Sequence, residues 1–210
     1  MLLYVLSILV PSVSTTLSAA TRSAPFHLSI RSDNTTYNNT AITTCHQGAA
    51  LTSLCVGAHP VNLTEAAPFA LNIVTTPSGI LEFAAPTPPT TTPNATSTWF
   101  PMNFWFDVYT NVVMGFFQPL SAEIPIQPTQ LMFDAGGLLV MEAPVLDDRL
   151  SPNWKPTGNN ATAVNRWFVC ETWPPAAYIT TSVVWGLGEA KPQNPSCVKV
   201  DVVKVDASGN

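Results

Sequence analysis

Gln130-Leu131-Met132-Phe133-Asp134-Ala135-Gly136-Gly137-Leu138-Leu139-Val140-Met141-Glu142 reads as two short runs folded back around a turn. Its glycines stand where a hairpin connection needs positive φ. The same texture recurs on either side. Phe26-His27-Leu28-Ser29-Ile30-Arg31 alternates apolar and polar residues, and Phe104-Trp105-Phe106-Asp107-Val108 alternates on one face. Residues 166–172, 178–185 and 196–205 are further strand candidates. In the last, Val198, Val200 and Val202 alternate with Lys199, Asp201 and Val203, as in a sheet with one wet face. Proline separates these runs: the chain has 20 in 210 residues, where average usage gives roughly half that. Each removes a backbone donor and disrupts a helix interior by about 3 kcal/mol. The longest proline-free window, 26–59, is filled with β-branched and turn-forming residues such as Asp33-Asn34-Thr35-Thr36-Tyr37-Asn38-Asn39-Thr40. The sequence therefore predicts an all-β protein, an antiparallel β-sandwich or barrel of about ten short strands. A long Thr/Pro-rich loop and little helix complete the expectation, with one short helix around 48–55.

Charge and export follow from the composition. Eight basic and 13 acidic residues give a net charge of −5, and the pI is near 4.9. No basic face is available for phosphates, which excludes nucleic acid as a partner. An apolar share of 46% supplies a core and argues against charge-driven disorder. The first twenty residues carry no charged side chain. Leu2-Leu3-Tyr4-Val5-Leu6-Ser7-Ile8-Leu9-Val10 is too short to span a bilayer, which takes about 20 residues. Ser18-Ala19-Ala20 follows as an acceptable signal-peptidase site, although no Lys or Arg precedes the apolar run. Residues 1–20 are expected to be a signal peptide and 21–210 a single secreted β-rich domain. Sequons at Asn34, Asn38, Asn62, Asn94 and Asn160 predict N-glycosylation, whereas Asn194 is followed by Pro195 and does not count. Pro86-Thr87-Pro88-Pro89-Thr90-Thr91-Thr92-Pro93 has the composition that accepts O-linked sugars. The aromatic run 99–117 is interrupted by Pro101, Asn103, Asp107 and Asn111, and the chain ends without an apolar tail. The expected location is secreted, extracellular or cell-wall associated, with no membrane partner for the mature form; oligomeric state stays open.

Chemistry has few footholds. Cys45, His46, Cys55 and His59 invite a zinc reading, but nine residues separate the cysteines where knuckles bring two to four. In a secreted chain cysteines oxidise instead, so no metal and no cofactor are expected. Four cysteines allow three pairings; Cys45–Cys55 with Cys170–Cys197 is preferred as the most local. A nucleophile elbow is missing and only three histidines exist as bases. Glu142 and Glu171, both at strand ends, are the weak candidates for a catalytic carboxylate pair of the glycosidase kind. Asp147 and Asp148 are adjacent and point to opposite faces of an extended chain. Among six tryptophans, Trp167 and Trp185 lie in strand runs and suit a core. Trp99, Trp154 and Trp173 lie near prolines in loops and are the candidates for a sugar-stacking surface.

Phe26-x-Leu28, the hairpin 133–139, Trp167-Phe168-Val169-Cys170, Tyr178 with Val184-Trp185, and Pro195-Ser196-Cys197-x-x-Val200-x-Val202 together resemble small secreted ascomycete proteins carrying a domain of unknown function. Cys45-His46-Gln47-Gly48-Ala49-Ala50 and Leu54-Cys55 are similar to that group too. The resemblance implies a β-rich extracellular domain with a C-terminal cysteine pair, and it carries over no catalytic residue. The function expected is that of a glycosylated, disulfide-stabilised, non-catalytic protein of an extracellular or wall surface. Its expected partner is a cell-wall polysaccharide or a host or surface protein. The alternative is a carbohydrate-binding protein or glycoside hydrolase using the loop tryptophans and a carboxylate pair.

Overall fold

The computed structural model describes residues 21–48, 51–57, 66–75, 78–85, 98–105, 110–117, 129–144, 161–173, 178–188 and 190–206. Among them the regular elements are fifteen strands and no helix. These are β1 (Thr21–Arg22), β2 (Phe26–Arg31), β3 (Thr40–Gly48), β4 (Leu51–Val56), β5 (Phe69–Thr75), β6 (Ser78–Ala85), β7 (Thr98–Trp105) and β8 (Val112–Phe117). The C-terminal part supplies β9 (Gln130–Phe133), β10 (Leu139–Pro144), β11 (Ala161–Val164), β12 (Trp167–Thr172), β13 (Thr180–Gly186), β14 (Val198–Lys199) and β15 (Asp201–Asp206).

Antiparallel pairing runs β5, β2, β3, β4, β13, β8, β7, β6 and then back to β5, closing an eight-stranded barrel. The other strands are laid on this ring. β1 pairs with β5 and β15 with β2; β9 pairs with β6 and continues into β10 and β11; β12 pairs with β13 and continues into β14. Strand alternation fills the interior: Phe26, Leu28 and Ile30 of β2 meet Ile42, Leu54, Phe69, Leu81, Met102, Phe117 and Val183 in one buried cluster. Trp167 and Trp185 pack edge-to-face there at 5.1 Å, and the buried Trp167 indole donates to the Leu139 carbonyl at 2.7 Å. Gly115 sits mid-strand in β8 because a Cβ there would come within 2.6 Å of the Met102 sulfur.

The hairpin at 130–142 forms as its residues dictate. Gly137 has φ 76°, and the Asp134 carboxylate accepts from the Gly136 and Leu138 amides, each at 2.8 Å. The helix expected around 48–55 does not form: residues 51–56 are β4, paired with β3 from Ile42↔Val56 to His46↔Thr52. Leu54 turns to the core while Ser53 and Cys55 face away from it, a period of two that no helix can satisfy. Strands also outnumber the expected ten, because two-residue pieces such as β1 and β14 carry no periodicity to read.

Candidate functional site

Opposite the barrel core, two surfaces stand out at the two ends of β12. The first begins where β2 ends. Arg31 lies across from Asp201, the first residue of β15, and its guanidinium donates twice to Asp201 Oδ2, at 3.0 and 3.2 Å. Asn165 Nδ2 donates to the other oxygen, Oδ1, at 2.6 Å. The turn after β2 is held by side chains: the Ser32 amide donates to Asn38 Oδ1, the Asn34 amide to Ser32 Oγ, and the Thr36 amide to Asn34 Oδ1. Ser32 Oγ in turn donates to the Lys199 carbonyl at 3.3 Å. Arg31, Ser32, Asp33, Lys199, Val200 and Asp201 thereby line a shallow cleft of about 250 Å³.

Lys199 is the most constrained charge here. Its ammonium donates to Asn165 O at 2.9 Å and Asn165 Oδ1 at 3.2 Å, with longer contacts to the Trp167 and Val200 carbonyls. The ammonium also lies over the Phe168 ring, 5.3 Å from its centroid. Loss of water around the ammonium lowers its pKa from the ordinary lysine value; Asp201 opposes that shift and Arg166 adds to it. Five charges, Arg31, Asp33, Arg166, Lys199 and Asp201, thus gather at one end of a chain that is poor in charge. Both signs are present side by side. A free anion meets Asp33 and Asp201, and a free cation meets Arg31 and Lys199. A neutral ligand rich in hydroxyls can both donate to the carboxylates and accept from the guanidinium.

The second surface is the β12–β13 tip. The ladder ends at Thr172↔Thr180, and just beyond it Trp173, Tyr178 and Ile179 are 79, 55 and 76% exposed. The base of this tip is fixed by the Cys170–Cys197 bridge and by Asn194 and Ser196, which bond the Glu171 backbone at 2.8 and 2.9 Å. Buried Gln47 donates to Ser53 Oγ at 2.7 Å and Thr180 Oγ1 at 3.0 Å, and Ser182 is shared with Thr172 and Thr180.

Of the residues singled out in the sequence, Glu171 and Trp173 lie together at the β12–β13 tip, and the other described ones lie elsewhere. Glu171 is exposed on β12, while Glu142 lies on β10 with its side chain outside the described residues; β10 and β12 are not hydrogen-bonded neighbours. Trp99, expected in a loop, lies instead on β7 and is half-buried under the Arg22 guanidinium, 4.9 Å from its ring, so Trp173 is the loop tryptophan left open among the described residues. Trp154, Asn62, Asn94, Asn160 and the Thr/Pro stretch lie outside them. Asn34 and Asn38 both sit in the turn that borders the cleft. The four cysteines form Cys45–Cys55 and Cys170–Cys197. Sequence reading missed Glu82, 5% exposed on β6, which takes Arg22 Nε at 2.6 Å and Asn72 Nδ2 at 2.9 Å. Its signal was present: a lone acid between Leu81 and Phe83 in an apolar strand. The cleft had no such signal, since residues 31–33 and 199–201 meet only through the β2–β15 pairing.

Residues 23–206 match DUF7907, a domain of unknown function, and the chain belongs to that family. No curated protein and no solved structure matches.

Proposed function

We propose that this DUF7907 protein is an exported, N-glycosylated binding protein, without catalysis of its own, that holds a neutral polysaccharide of an extracellular or cell-wall surface. The observation that supports the reading is the mixed-sign cleft of Arg31, Asp33, Lys199 and Asp201. Arg31 and Asp201 hold one another, Asn165 holds Asp201 and Lys199, and exposed Asp33 adds a second carboxylate, so the cleft can exchange hydrogen bonds with hydroxyl groups without committing to a charged ligand. At about 250 Å³ the cleft is smaller than the roughly 300–1,000 Å³ typical of pockets that enclose a ligand. It suits a short exposed portion of a longer chain. Export is supported by the uncharged leader and by two disulfides, which persist in oxidising compartments.

Co-sedimentation with insoluble β-glucan and chitin tests the proposal, with reducing ends measured in the supernatant. The glycosylated protein should sediment with at least one of them and release no sugar. Arg31→Ala and Asp33→Ala, both at exposed positions, should weaken retention about tenfold while leaving the thermal midpoint close to wild type. Retention indifferent to both substitutions, or reducing ends that accumulate with time, would overturn it.

A further inference from the structure

Thr40 carries a buried hydroxyl for which the fold has no use. It opens β3 opposite Ile30, is 1% exposed, and shares the core-facing side of the strand with Ile42. Its Oγ1 has no hydrogen-bond partner among the described residues, which costs stability that valine, of the same shape, would not lose. The hydroxyl has another task. Asn38-Asn39-Thr40 is a sequon, and its threonine marks Asn38 for glycan transfer. We propose that Asn38 carries a glycan that folds back into the cleft, so that the protein holds its own sugar there and an external polysaccharide must displace it.

With the cleft read as a site for neutral saccharide, on which this inference rests, placement favours Asn38 over Asn34. Asn38 is exposed, and its Oδ1 accepts from the amide of Ser32 at 3.1 Å, a residue that lines the cleft. The carboxamide oxygen is thus occupied in holding the turn against the cleft. The nitrogen, the atom that bears a glycan, donates to nothing among the described residues. Asn34 is half-buried, and its Oδ1 reaches forward to the Thr36 amide at 2.9 Å rather than back to the cleft. Thr36, which completes that sequon, is exposed, so its hydroxyl stays in water and costs the fold nothing.

The occupant suits the site. An N-glycan begins with neutral sugars whose hydroxyls can donate to Asp33 and Asp201 and accept from Arg31. A cleft of about 250 Å³ is too small to enclose a ligand, so a free sugar is held weakly there. Tethering compensates: a partner on a short flexible link meets its site at roughly millimolar effective concentration. The glycan therefore competes with any polysaccharide from outside, and the cleft opens fully only when Asn38 is bare.

Mass spectrometry of the Asn38 peptide, with calorimetric titration of the glycosylated protein by soluble β-glucan and chitin oligosaccharides, tests the glycan and its place together. Wild type should carry a glycan at Asn38. Thr40→Val, which leaves the Asn38 carboxamide in the turn, and Asn38→Gln should both lose that glycan and bind an oligosaccharide about fivefold more tightly. Thr40→Ser, which keeps the sequon, and Thr36→Ala, which removes only the Asn34 sequon, should bind as wild type does. An unmodified Asn38 would overturn the proposal. Equal affinity in wild type and Thr40→Val, with Arg31→Ala still weakening both, would also overturn it while leaving the cleft a saccharide site. Binding by none of these proteins would overturn the reading of the cleft and its tethered occupant together.

Discussion

Glu82 shows how much a single side chain can ask of its neighbours. A buried carboxylate is tolerated because Arg22 and Asn72 each take one of its oxygens. Arg22 comes from the two-residue β1, so a very short strand has a structural task beyond its backbone bonds. Arg22→Met should therefore destabilise by about 1–3 kcal/mol, because it strands the carboxylate. The double variant Arg22→Met with Glu82→Leu should lie closer to wild type than Arg22→Met alone. Denaturant titrations of the three proteins decide it; a double variant no more stable than Arg22→Met alone would contradict this role for the pair. Lys199 sets a pH dependence of definite sign. Its pKa is lower in the folded protein than in the unfolded chain, so between those two values the unfolded chain binds more protons and stability rises with pH. Below both values the lysine is charged in both states and the burial penalty is fully present. Relative to Lys199→Met, wild type should gain stability as pH climbs from neutral toward the ordinary lysine range; a difference that stays flat or falls would contradict the burial.

At the scale of elements, the Cys170–Cys197 bridge ties β12 to the segment leading into β14, closing a loop with a sequence separation of 27. Chain entropy puts its contribution near 3 kcal/mol. Cys170→Ser with Cys197→Ser should lose about that much and raise amide exchange in residues 170–173 before it does so in β2. Uniform exchange across both would show that the bridge does not stiffen the tip. Gly115→Val in β8 should destabilise by more than 2 kcal/mol, since its Cβ collides with Met102. What the sequence revealed of these elements followed a simple rule. Strands with clean alternation or a glycine turn, such as β2, β9 and β10, were legible because period and turn chemistry are local. β4 was misread as helix because Leu51-Thr52-Ser53-Leu54-Cys55 carries both periodicities, and only pairing with β3 selects one. The β12–β13 tip was half legible: Trp173 was named for its prolines, but its exposure follows from where the ladder stops. The cleft was illegible because its halves stand at opposite ends of the sequence.

At the scale of the whole molecule, a chain with only 10% charged residues must stay dispersed by other means, since low charge favours association. Arg31, Asp33, Lys199 and Asp201 line the cleft, and two of the sequons border it. If Asn34 and Asn38 carry glycans, enzymatic removal of N-glycans should make the protein markedly more prone to aggregate by light scattering; unchanged scattering would remove glycans from the account of its solubility. The central claim is that the mixed-sign cleft holds a neutral saccharide without cleaving it. Its most direct test is an NMR titration of the isotope-labelled protein with a soluble oligosaccharide of whichever polysaccharide retains it. Amide shifts confined to residues 31–33, 165–166 and 199–201, with the oligosaccharide intact after prolonged incubation, are the predicted result. Shifts centred elsewhere on the barrel, or a shortened oligosaccharide, would contradict it.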